Sequence, residues 1–240
     1  MSLSAIFDPI VRAYFENLYG GSGGGGGPAD EGWIGDGNTH LWISLPEGRT
    51  SPMLGVAASG TVTVDWGDGS APDVLTGKGQ NIAACTPNHE YASAGDYIIT
   101  LTVDGKLYFN GSGSPDSDAC LLRHSFEADK RNIVYRNAMK KIELGEGATS
   151  IGISAFNNCY GLASITISEG VTSIGASAFN NCYGIKFYDF SNHTAVPTLS
   201  ATSPFSSIAA DCEIRVPAAL VDEWKAATNW STYADYIVGV

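Results

Sequence analysis

The residues able to do chemistry are few and scattered. His40, His89, His124 and His193 fall in different segments, and none sits in an HExxH, GxSxG, phosphate-loop or paired-carboxylate pattern. A general base must lie within hydrogen-bonding reach of its proton and of an orienting partner. No spacing here brings one, so a Ser/His/Asp set would have to be assembled by the fold. Asp65, Asp68 and Asp73 crowd one stretch, and a hard cation such as Ca2+ takes clustered carboxylates. The same aspartates flank glycines, and turn formation is the reading carried forward. Cys85, Cys120, Cys159, Cys182 and Cys212 are odd in number and show no CxxC. That is neither a disulfide framework nor a zinc site, and small buried thiols are expected. The expectation is therefore no catalytic, metal or cofactor site.

The 240 residues suffice for two ordinary domains. Charged residues make up only 16%, glycine reaches 29, and the net charge is −12. This favours a β-rich, turn-rich protein that works outside a cytosol. It also repels phosphate backbones and anionic membranes, so neither nucleic acid nor membrane insertion is expected.

The elements that would position any site begin with residues 1–19. Phe7, Val11, Tyr14 and Leu18 keep a 4-3-4 spacing on one helical face, with Ile10 on a neighbouring one. The segment has no basic start, unbroken apolar core or cleavage site, so it does not read as a secretory signal. The glycine-rich stretch within 20–32 reads as a tether. A helix with apolar faces and no core of its own is read as an attachment or oligomerisation peg, against the alternative that it folds back on the next domain.

From 33 to 110 the pattern is β. LWISL (41–45), TVTVDW (61–66) and YIITLTV (97–103) have strand lengths and are separated by turn residues. VDWGDGS (64–70), then HEY (89–91), then GDYIITLTV (95–103) resembles the polycystic kidney disease (PKD) domain over about 38–108. That resemblance implies an immunoglobulin-like β-sandwich serving as a spacer or binding module. Residues 111–118 (GSGSPDSD) read as a second linker.

Residues 119–240 carry a repeat. Ile142, Ile151, Phe156 and Cys159 recur as Ile165, Ile174, Phe179 and Cys182, always 23 residues on. A fixed period in the twenties suits a stacked solenoid, in which each unit covers its neighbour's apolar edge. The pattern resembles the BspA-like leucine-rich repeats. Glu143 and Thr166 should point outward, and the Asn pairs 157–158 and 180–181 should line a corner as ladders. A looser third unit includes Phe205, a closing strand spans 212–216, and Leu220, Trp224, Trp230 and Tyr233 suit a helical, aromatic cap. Trp230 and Tyr233 are also candidates for surface binding.

The fold class expected is mainly β with short helices: an N-terminal helix, a PKD-like sandwich, then a short leucine-rich-repeat solenoid with a C-terminal helical cap. The function expected is non-enzymatic. The first reading is a phage or prophage virion fibre component, with Phe7, Ile10, Val11, Tyr14 and Leu18 docking to other virion proteins. The repeat domain would then meet a protein or glycan on a host surface, from a multi-copy or homo-oligomeric assembly. The second reading is a bacterial cell-surface adhesin.

Overall fold

The computed structural model describes residues 33–55, 57–77, 79, 88–109, 122–124 and 133–240. The expected peg helix (Phe7, Ile10, Val11, Tyr14, Leu18) and both linkers lie outside them.

The first part of the chain holds β1 (Thr39–Leu45), β2 (Pro52–Leu54), β3 (Ala57–Ser59), β4 (Thr61–Asp65), β5 (Asp73–Thr76), β6 (Gly95–Val103), β7 (Lys106–Phe109) and β8 (Leu122–His124). The three strands read from the sequence are β1, β4 and β6. All three alternate buried with less buried positions or bury both faces, and they pair antiparallel in the order β1-β6-β4-β5.

After helix α1 (Ile133–Ala138) come the repeat strands. Here β9 (Met139–Glu143), β11 (Ser164–Thr166), β13 (Phe187–Asp189) and β15 (Glu213–Val216) run parallel. The shorter strands β10 (Ala148–Ile151), β12 (Ser173–Ile174) and β14 (Thr198–Leu199) form a second parallel ladder. The register follows the sequence repeat: Ile142 lies beside Ile165, and Ile151 beside Ile174.

The sheets correct the picture of a free-standing solenoid behind a linker. Strand β9 pairs antiparallel with β1, so one nine-stranded sheet runs from the repeats into the first region. Strand β7 pairs antiparallel with β3 and parallel with β10, so the second sheet is shared as well. Buried side chains of both regions form one core. An open ladder leaves unpaired N–H and C=O groups at its first strand, and β1 and β7 cover them.

The repeat side chains explain the register. Phe156, Phe179 and Phe205 are buried and stacked nearly parallel, with ring centroids 5.2 and 5.5 Å apart. Phe205 keeps its place in the column although its unit is stretched. Asn180 Nδ2 donates to Asn157 Oδ1 at 3.1 Å, and Asn181 Nδ2 to Asn158 Oδ1 at 2.9 Å. Asn158 and Asn181 have φ of 62° and 61°, a left-handed conformation that asparagine tolerates better than most residues. Cys159, Cys182 and Cys212 are buried free thiols.

The cap follows Pro217 through a 3-10 turn at Ala218–Leu220 and helix α2 (Val221–Ala226). A longer 3-10 stretch spans Trp230–Tyr236. The sequence reading missed what comes next: β16 (Ile237–Gly239) adds a further parallel strand beside β15. Among the described residues no helix is long and apolar enough to cross a membrane.

Candidate functional site

Trp230 and Tyr233 do not form a binding surface. Both are buried: the Trp230 indole donates to Pro197 O at 2.7 Å, and the Tyr233 hydroxyl to Thr202 O at 2.8 Å. They close the end of the phenylalanine column, with Phe205 5.6 and 5.1 Å away. The physical reason is that an open last coil would leave that column wet.

The aspartates near residue 65 each have an internal task. Asp65 accepts from Gly67 N, Asp68 accepts from Ser70 N and contacts His89 at 2.7 Å, and Asp73 accepts from the Trp66 indole at 2.9 Å. Hydrogen bonds from Ser70 and then His89 hold the Asp68 carboxyl down at about 2. His89 stacks on Trp66 at 4.8 Å, and the buried Tyr91 hydroxyl donates to Trp66 O. Gly67 turns at φ 76°, where a Cβ would collide with Ile98 O. The WGDGS and HEY motifs therefore build one corner.

His193 and His40 differ from each other. His193 is buried against Phe190 and Trp224, and burial lowers its pKa. His40 links Thr100 Oγ1 (3.1 Å) to Asp36 Oδ1 (2.8 Å). Hydroxyl, imidazole and carboxylate stand in the order of a nucleophile, base and orienting acid. A hydrolase also needs free N–H donors beside the hydroxyl to hold an oxyanion. Thr100 sits mid-strand, and β6 is paired on one side with β1 and on the other with β4. The relay ties the turn before β1 to the sheet, and the hydrogen bond from His40 lowers the Asp36 pKa to about 2, with Asn38 adding to it. On the other side of this turn, an open cleft of about 380 Å³ is lined by Asn38, Val103, Asp104 and Glu146 among others. It brings together no set of groups with evident chemistry.

The outer face of the nine-stranded sheet is a surface that both regions build together. Side chains alternate across a strand, so positions flanking the buried Ile142, Ile165, Tyr188 and Ile214 face away from the core. One cross-strand row runs Asp65, Thr100, His40, Glu143, Thr166, Asp189, Arg215. Its neighbour runs Ile98, Trp42, Lys141, Ser164, Phe187, Glu213. Arg215 lies 3.9 Å over the Phe187 ring, and its Nε donates to Glu213 at 2.8 Å. The guanidinium thus sits over an aromatic ring and is tied there by a carboxylate.

Trp33 crosses the middle of this face. Its ring lies edge-on to Trp42 and to Phe187, at 6.1 and 6.4 Å. Lys141 Nζ sits between the two indoles, 4.0 Å from Trp33 and 4.3 Å from Trp42. Glu143 accepts from Ile34 N with one carboxylate oxygen and from Gly35 N with the other, both at 2.8 Å. The outward aim of Glu143 and Thr166 was legible in the repeat. The crossing by Trp33 carried no local signal, because two of its partners, Lys141 and Phe187, lie more than a hundred residues away.

Residues 125–209 match the family model of the BspA type leucine rich repeat region, in six copies. No curated protein matches the chain.

Proposed function

We propose that this chain is a non-enzymatic binding module displayed at an exterior surface, and that it meets its partner with the outer face of the shared sheet. The observation that carries this reading is the cross-strand row from Asp65 to Arg215, to which both regions contribute side chains; Asp65, Asp189 and Arg215 reach solvent in it, while His40 and Glu143 between them are buried. Repeats of the matched type are typical of bacterial surface proteins, so a cell-surface adhesin is placed ahead of the virion fibre. The PKD-like part would act as spacer and scaffold, and the segment before Trp33 as the mount.

The test is binding of the full chain to arrayed glycans and immobilised matrix proteins. Phe187→Ala and Arg215→Glu should each weaken capture about tenfold or more while leaving the melting temperature nearly unchanged, since both residues are half-exposed. Unaltered capture by both variants would sink this use of the face. Ester hydrolysis by the full chain that disappears in His40→Ala would overturn the non-enzymatic reading.

A further inference from the structure

Residues 33–35 behave as a ligand laid on the sheet rather than as part of it. They belong to no strand, and Trp33 and Ile34 are 37% and 46% exposed. Beneath them Trp42, Lys141 and Glu143 are 0%, 3% and 8% exposed, although they stand on the outward face. Two kinds of contact hold the strap: the Glu143 carboxylate receives two successive N–H groups, and the Trp33 ring meets the Lys141 ammonium and the Trp42 and Phe187 edges. Charge-assisted bonds from consecutive amides to one carboxylate read a peptide backbone without regard to its side chains. An aromatic ring packed against a cation adds the side-chain preference.

The fit is incomplete. Among the described residues, Trp42 Nε1 and Thr166 Oγ1 are buried on this same face with no hydrogen-bond partner. A buried polar group left unpaired is destabilising, so an occupant offering acceptors there would hold better than the chain's own segment. The strap joins β1 through Gly35 and Gly37, at φ 69° and 84°. These are positions that glycine adopts without strain, and they suit a hinge.

We propose that Trp42, Lys141, Glu143 and Phe187 form a peptide-binding site, filled here by the chain's own Trp33, Ile34 and Gly35. Its external ligand is an extended peptide on a partner protein, with an aromatic residue followed by two free backbone N–H groups. The strap regulates access, because it must lift before that peptide enters. The inference builds on the sheet face as a contact surface, but its test reads the strap alone and does not depend on any captured partner.

The experiment uses the full chain, amide exchange by NMR, and a peptide of residues 32–37 (GWIGDG) as probe. In Glu143→Gln the Ile34 and Gly35 amides should exchange about tenfold faster than in the unaltered chain, while those of Ile165 and Ile167 stay protected. In Trp33→Ala the added peptide should shift the Trp42 indole signal saturably, and the double variant with Glu143→Gln should lose that response. Gly35→Ala gives a second route should Trp33→Ala unfold. A Cβ at Gly35 meets nothing within 4 Å, so it acts only by straining the positive φ, and it should raise the open fraction about fivefold or more. The proposal fails if both amides exchange unchanged in Glu143→Gln, or if the peptide leaves the Trp42 signal unmoved in the folded variants.

Discussion

The ring of Phe109 lies 5.8 Å from that of Phe156. Phe109 ends β7, a strand of the first region, while Phe156 belongs to the first faithful repeat. The aromatic column of the repeats thus starts one region earlier than the repeat does, and a strand of the first region serves as its opening coil.

Phe109→Ala should therefore destabilise the described regions together. Loss of a fully packed phenylalanine costs about 3–5 kcal/mol. The expected outcome is a single unfolding transition at lower temperature, seen alike at Trp66 in the first region and at Trp224 and Trp230 in the cap. Two separate transitions, with only the repeats shifted, would contradict the shared core.

The asparagine corner separates two effects. Asn181→Ala removes the side chain that bonds Asn158 and receives the Tyr183 hydroxyl, and it also strains φ 61°. It should lower stability by about 1–3 kcal/mol in denaturant melts. Asn181→Gly relieves the strain but not the lost bonds, so it should fall between the alanine variant and the parent.

His193 sets a mild acid sensitivity. Burial holds its pKa below the ordinary 6.5, so the unfolded chain binds that proton more readily. Its contribution is intact above about 6.5 and is lost as pH falls below that value, levelling off under the folded pKa. His193→Gln should remove this slope between pH 7 and 5. A melting-temperature series with the same slope in parent and variant would refute the assignment.

Asp68 acts in a lower window. With its carboxyl held at about 2 against an ordinary 3.8, its contribution is full above about 4 and disappears as pH falls toward 2. Asp68→Asn should flatten acid unfolding in that range and loosen the His89 stack, which the fluorescence of Trp66 reports.

The buried thiols should be silent in the folded chain. Burial pushes the Cys212 thiol up to about 12, and the thiolate is the reactive form. Site-resolved mass spectrometry after alkylation at pH 8 should find Cys159, Cys182 and Cys212 unmodified until denaturant is added.

Much of this protein was written in its sequence. The 23-residue offset of Ile142, Phe156 and Cys159 dictated which atoms stack, because a repeat can bury its apolar edge only against its own copy. The WGDGS and HEY motifs similarly announced a tight corner, since Gly67 alone fits the approach of Ile98 and the polar ends of His89 and Tyr91 find partners within it. What the sequence could not carry was every relation set by which strand edge meets which. The pairing of β1 with β9 and of β7 with β10 depends on complementary open edges far apart in the chain, and backbone hydrogen bonds leave no side-chain signature. The same holds for Trp33 over Lys141 and for Glu143 beneath Ile34 and Gly35: a carboxylate that binds backbone amides reads no side chain. Periodicity determined the column, and only the tertiary structure decided that its sheet continues through the first region and is crossed by Trp33.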